Sequence, residues 1–319
     1  MANKINNTKL LYIFLGLVAI LLLARFFGGN KQQSIRTDLF SVDSASVSSI
    51  ILETKAEKQE PMTLVKNGTI WEVKKGDATA EADEEAIKGM LSLVKDVKVK
   101  RLAARSKDKW ASLEVNDSLG SHVKIMSGSE VVADFVVGKF SFSQNPANPQ
   151  QPNIASFVRL TDEDEVYVVD GYMAMSFNQS FSGLRNKQMI KADANSINTL
   201  GFSYADGTTL ELTKSESSWT MGETTADSAS VQRYLNRISN LLHSTILDSF
   251  DPSTATELAK LQIAGNNMEP ISLKCFQGST PKEFIVNSSQ NPDAYFTGDS
   301  ASLYTKVFAR QADFLPATE

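Results

Sequence analysis

The 319-residue sequence holds one cysteine, Cys275, and two histidines, His122 and His243. A lone cysteine forms no internal disulfide, so cysteine usage says nothing of redox compartment. Three such side chains, far apart in sequence, argue against a Cys/His zinc site. Basic runs are absent, as is any interleaving of aromatic and basic residues. With a net charge of -5, this speaks against a nucleic-acid partner. No G-x-S-x-G, Walker A loop or H-E-x-x-H motif occurs. A Ser-His-Asp triad would have only His122 and His243 as base; the first opens an expected strand and the second ends an expected helix. No catalytic residue, metal ligand or cofactor is therefore assigned, and no enzyme is expected.

What is present has ordinary globular composition, 42% hydrophobic and 22% charged, with length for two domains. The exception is residues 10–27, LLYIFLGLVAILLLARFF, apolar apart from Arg25. As a helix this run spans ~27 Å, close to the hydrocarbon thickness of a bilayer. Leu10, Phe14, Leu17 and Leu21 belong to its apolar body. Tyr12, Phe26 and Phe27 suit the two interfaces, and Arg25 can snorkel. A buried soluble helix would not be apolar all round. A cleaved signal peptide needs a small-x-small site where Arg25-Phe26-Phe27 stands. The expectation is an uncleaved signal-anchor: a cytoplasmic tail (1–9), a transmembrane helix (10–27), a linker (28–37) and the bulk of the chain outside. Flanking charges nearly balance, so this orientation rests on the shortness of the tail.

The remainder echoes itself. Residues 65–73, VKNGTIWEV, and 204–221, YADGTTLELTKSESSWTM, each join a turn dipeptide to a strand-like run with one tryptophan. After each comes an amphipathic pattern. Ile87, Met90, Leu91, Val94 and Val97 share one face; Val231, Tyr234, Leu235, Ile238 and Leu241 share another, each 144 positions later. Asp83 and Asp227, at the same offset, are expected helix caps. Glycine-turn hairpins follow at 122–138 and 271–287, then a strand running into a helix at 165–177 and 293–308. The expected fold class is α+β: an N-terminal transmembrane helix, then two tandem repeats of an antiparallel-sheet-plus-helix unit, residues 38–187 and 188–319. Residues 138–157, rich in Pro, Asn and Gln, are expected to form a surface loop.

These features resemble the DUF4340 family of bacterial membrane-anchored proteins. The resemblance is carried by IWEV (70–73) and SWTM (218–221), each followed by Ala-Asp and a helix, by VYVVDGYM (166–173), and by SGLRNK (182–187). It implies a single-pass periplasmic protein of the bacterial cytoplasmic membrane, accessory to an ABC-type transport system of the gliding-motility kind. With no permease or ATPase segment, such a chain acts through partners: the lipid bilayer and ABC permease or auxiliary proteins.

Other candidates are weighed against plainer readings. The acidic run 162–165 lacks the spacing of a calcium loop and reads as a solvated turn. Cys275 falls on an apolar strand face as a small hydrophobe. Trp71 and Trp219 read as core anchors rather than sugar platforms. Arg185 reads as an ion pair or cap rather than a binding cation. Ser44, Ser118, Ser228 and Ser300 follow aspartate in a pattern like a bacterial O-glycosylation sequon. Three functions compete: a non-enzymatic accessory or scaffold protein beside a transporter, an envelope glycan- or peptide-binding module, and, weakest, an envelope hydrolase.

Overall fold

A computed structural model describes residues 14, 16, 18, 36–144, 150, 152–216 and 218–316. The first part of the chain forms β1 (Asp38–Phe40), β2 (Ser49–Glu53), β3 (Pro61–Asn67), β4 (Ile70–Lys75), β5 (Ala78–Glu81), helix α1 (Glu84–Val94), β6 (Val97–Ala104), α2 (Trp110–Leu113), β7 (Ser121–Ser127), β8 (Glu130–Ser143), β9 (Asn153–Leu160), β10 (Val166–Asp170), α3 (Met173–Phe177) and α4 (Phe181–Leu184). The second forms β11 (Gln188–Lys191), β12 (Ile197–Tyr204), β13 (Thr209–Ser215), β14 (Ser218–Met221), β15 (Thr224–Thr225), α5 (Ser228–Ile238), β16 (Asn240–Leu242), β17 (Ile246–Leu247), β18 (Glu257–Gly265), β19 (Ile271–Gln277), β20 (Phe284–Ser288), β21 (Asn291–Gly298) and α6 (Thr305–Val307).

Three antiparallel sheets result. The largest has ten strands in the order β1-β6-β10-β9-β8-β7-β2-β3-β4-β5; another has nine, β15-β14-β13-β12-β18-β19-β20-β21-β17; and β11 pairs with β16. The α+β expectation is thereby corrected. The described residues are mostly β, about 46% strand against 20% helix. They form wide antiparallel sheets, not a series of sheet-plus-helix repeats. The physical reason lies in β2–β7 and β12–β18 pairing, which fuses successive hairpins into continuous wide sheets. The helices pack against the sheets rather than alternating with their strands. No helix among the described residues is long and apolar enough to cross a membrane. Of the expected anchor, Leu10, Tyr12, Leu17, Leu21, Arg25, Phe26 and Phe27 lie outside the described residues; Phe14 is helical and exposed.

The two 11-residue helices form where the apolar period requires. Ile87, Met90, Leu91 and Val94 are buried from α1, and Val231, Tyr234, Leu235 and Ile238 from α5. Val97 and Leu241 fall in the strands that follow. Asp83 accepts from the Glu85 and Ala86 amides, and Asp227 from Ser230, so each aspartate satisfies first-turn donors. Trp71 and Trp219 are buried in β4 and β14, and the carbonyl of each accepts the amide just before a cap, Ala82 or Ala226, at 2.8 Å. Strand alternation buries Leu200, Phe202 and Tyr204 of β12, while Ser203 faces water. Each large sheet has its own core. A smaller cluster, with Val115, Val136, Phe157 and Val168, covers the opposite face of β8–β10.

Candidate functional site

The two large sheets meet at residues 184–188, and this connection is bonded on both sides. The Asn186 amide donates to the Glu81 carbonyl at 2.7 Å and its side chain to the Glu81 carboxylate at 2.8 Å. The Asp83 amide donates to the Leu184 carbonyl at 2.7 Å. From the other side, the buried Asn291 amide donates to the Asn186 carbonyl at 3.0 Å, and the His243 amide to that of Lys187 at 3.0 Å. A chain hydrogen-bonded along both flanks is a strut rather than a flexible linker.

Beside this strut opens a cleft of about 650 Å³. One wall carries Glu81, Asp83, Glu84 and Glu85; Lys187 and Lys191 face it. Much of this charge is committed. Glu84 and Glu85 pair with Lys88 at 3.0 and 3.1 Å, and Lys187 donates to the Gly183 carbonyl at 2.6 Å. Leu242 adds an exposed apolar rim. Such a wall of both charges and amides can receive a polar segment of another chain. Below it Arg185 is buried, its guanidinium 3.3 Å from Asp248 and 5.8 Å from the Phe181 ring centroid. Burial pushes the Arg185 pKa down, against the pull of Asp248. It is an ion pair inside the junction.

The histidines are tied up elsewhere. His122 Nε2 lies 2.8 Å from Asp134 Oδ1 and 3.2 Å from the Thr161 hydroxyl, which itself donates to Asp134 at 2.5 Å. Burial would raise the Asp134 pKa, yet Thr161, His122 and Lys124 together hold it below the ordinary value. The hydroxyl proton points to the carboxylate rather than to the imidazole, the reverse of what nucleophile activation requires. His243 Nε2 lies 2.8 Å from the Thr297 carbonyl, so that nitrogen carries the proton. Cys275 is buried, which pushes its thiol up to about 12. In the acidic turn, Glu163 receives Arg36 at 2.6 Å and the Tyr167 phenol at 3.1 Å. Among the described residues, no group of His, Cys, Asp and Glu is arranged to hold a metal ion. Ser118, Ser228 and Ser300 are exposed and Ser44 half-buried, scattered rather than gathered.

Two features escaped the sequence reading. Arg159, on the apolar strand β9, is buried and stacks 3.9 Å from the Trp110 ring centroid while donating to the Val115 and Thr161 carbonyls at 3.1 Å. An arginine within an apolar strand was the available signal. Secondly, residues 138–143 and 153–157 are strand, not loop; β8 and β9 continue as a paired arm. Residues 145–149 and 151 lie outside the described residues.

The profile of a family described as "Domain of unknown function (DUF4340)" matches residues 71–264. The chain belongs to the DUF4340 family. The match runs from Trp71 in β4 into β18, so it contains the strut and the cleft walls apart from Gln290. No curated protein and no solved structure matches this DUF4340 chain.

Proposed function

We propose that this DUF4340 protein is a non-enzymatic scaffold that docks a partner at the junction of its two large sheets. The partner in this reading belongs to an ABC-type transport system, and the protein works on the outer side of a bacterial cytoplasmic membrane. One observation carries the docking role: an open cleft of about 650 Å³, of mixed charge, beside a strut bonded to both sheets. A preformed site on a rigid connection costs little ordering on binding. The support for a membrane setting is the apolar sequence of residues 10–27. The choice of transporter rests on the association that the family resemblance implies.

A photo-crosslinking residue at Leu242, in full-length protein in its native membrane, tests this reading. Capture of a permease or its auxiliary protein is the expected result, with none from a probe at Gln262 on the solvent-facing side of β18. The same capture pattern at both positions would remove the reading.

A further inference from the structure

The β8–β9 arm ends in an aromatic surface that the junction reading does not use. Within the sheet, Val137 faces Val158; past a bulge at 138–139, Phe140 faces Ser156, Phe142 faces Ile154 and Ser143 faces Asn153. Residues directly opposite one another in an antiparallel pair share a face. Phe140 and Phe142 therefore lie on the face marked by Ser156. The Ser156 hydroxyl donates to the Gly171 carbonyl and accepts from the Ala174 amide, both at 3.0 Å. The Gly171 amide donates to the Ile154 carbonyl at 3.0 Å. The turn into α3, with Tyr172 and Met175, thus sits against the same end of the same face. Phe140 is 55% exposed, Phe142 62%, Tyr172 51% and Met175 55%. These are four of the nine large apolar side chains exposed among the described residues.

Charge indicates what covers this surface. Residues 138–157 contain a single charged side chain, Lys139, in a chain where 22% of residues are charged and the net charge is -5. Residues 138–157 add no carboxylate to repel an anionic surface, and the nearby Asp170 is paired with Lys100 at 2.7 Å. Aromatic rings prefer the headgroup zone of a bilayer, a lysine can reach phosphates there, and uncharged Ser, Asn and Gln are cheap to bring alongside.

We propose that Phe140 and Phe142, with Tyr172, Met175 and Lys139, bed into the headgroup region of a bilayer containing anionic phospholipid. The arm then fixes the height and tilt of the two sheets over the membrane, whether or not the junction cleft holds a partner.

The test uses full-length protein reconstituted in vesicles of phosphatidylcholine and phosphatidylglycerol. An environment-sensitive fluorophore is placed through Phe142→Cys, with Met175→Cys as a second reporter and Gln262→Cys as control. Buried Cys275, its thiol pushed up to about 12, leaves the engineered thiol as the reactive one. The expected result is a blue-shifted signal at both arm positions, quenched by headgroup-level spin-labelled lipid, with no quenching at the control. Lys139→Glu should weaken the quenching in phosphatidylglycerol vesicles. Lipid quenching at both arm positions no stronger than at the control would overturn the proposal. So would shielding from aqueous iodide in native membranes without lipid quenching, which would assign the surface to a protein. Cross-linking at Leu242 reads the junction independently, so either proposal can fail alone.

Discussion

Removing one oxygen atom from Tyr234 should cost this protein a measurable part of its stability. The phenol is wholly buried and donates to the Val307 carbonyl at 2.5 Å. Val307 closes α6, so its carbonyl lacks an intrahelical partner and depends on that hydroxyl. The ring packs edge-on against Phe314, with centroids 5.3 Å apart, and against Phe202 at 5.9 Å. Tyr234→Phe keeps those contacts and strips only the donor. The loss combines one net hydrogen bond with a buried acceptor left unpaired, about 1–3 kcal/mol in all. At ~2 kcal/mol and an m-value of ~3 kcal/mol/M, the urea midpoint falls by roughly 0.7 M. Tyr172→Phe, at an exposed position, is the control and should leave it unchanged. Burial holds the Tyr234 and Tyr204 phenols above their ordinary pKa, so the clamp stays protonated well into alkaline solution. The Tyr204 phenol donates to the Ala309 carbonyl, two residues along the same segment. Once one clamp is gone the segment can relax, so the double Tyr→Phe variant should lose less than the two single losses combined. A Tyr234→Phe midpoint indistinguishable from that of Tyr172→Phe would refute the reasoning.

Asp83→Ala should destabilise α1 by ~1 kcal/mol through two uncapped amides, read as faster hydrogen exchange in its first turn than in that of α5. Asp134 has a folded pKa held below its unfolded value, so its stabilisation is present above the unfolded pKa of about 3.9 and is lost as pH falls through the folded value. Wild type and Asp134→Asn should therefore differ in urea midpoint near neutrality and converge in acid. Gly138→Ala should cost ~1–3 kcal/mol, because its Cβ would fall 2.2 Å from the Leu113 carbonyl oxygen; a thermal melt would show it.

The helices were the legible part of the sequence. An apolar period of 3.6 with aspartate one turn ahead fixes a capped helix by local chemistry alone, and both copies formed as their residues demanded. The strength of that signal also misled. Helices announce themselves within a dozen residues, whereas the pairing of β2 with β7 joins residues 69 to 77 positions apart and leaves no local trace. Hence α+β was inferred where wide sheets dominate. The arm shows the same limit. Its Pro, Asn and Gln read as loop, yet Phe140, Phe142 and Ile154 alternate as strand residues do. The junction was half legible: Arg185 was singled out, but its setting depends on Asp248 and the Leu247 carbonyl, which no spacing rule connects to it.

The bounds of the family match sharpen the case for the junction. The matched stretch starts in β4 and stops in β18, inside both large sheets. It omits β2 and β3, which lie between β7 and β4, and β19–β21, which carry the second sheet beyond β18. It also leaves out Ile50, Leu52, Met62 and Leu64 of one core and Leu273, Val286 and Phe296 of the other. Cut at those limits, both sheets would expose unpaired strand edges and lose much of their buried apolar surface. The stretch that marks the family is thus not a folding unit. Apart from Gln290 and Asn291, it does hold the connection between two folding units: β5, α1, the strut at 184–188, α5 and β16. A surface that exists only when two sheets are held at one fixed relation is a reason to keep both sheets in one chain. The cleft between β5 of the ten-stranded sheet and the small β11–β16 sheet, with Gln290 between β20 and β21 on its rim, is such a surface.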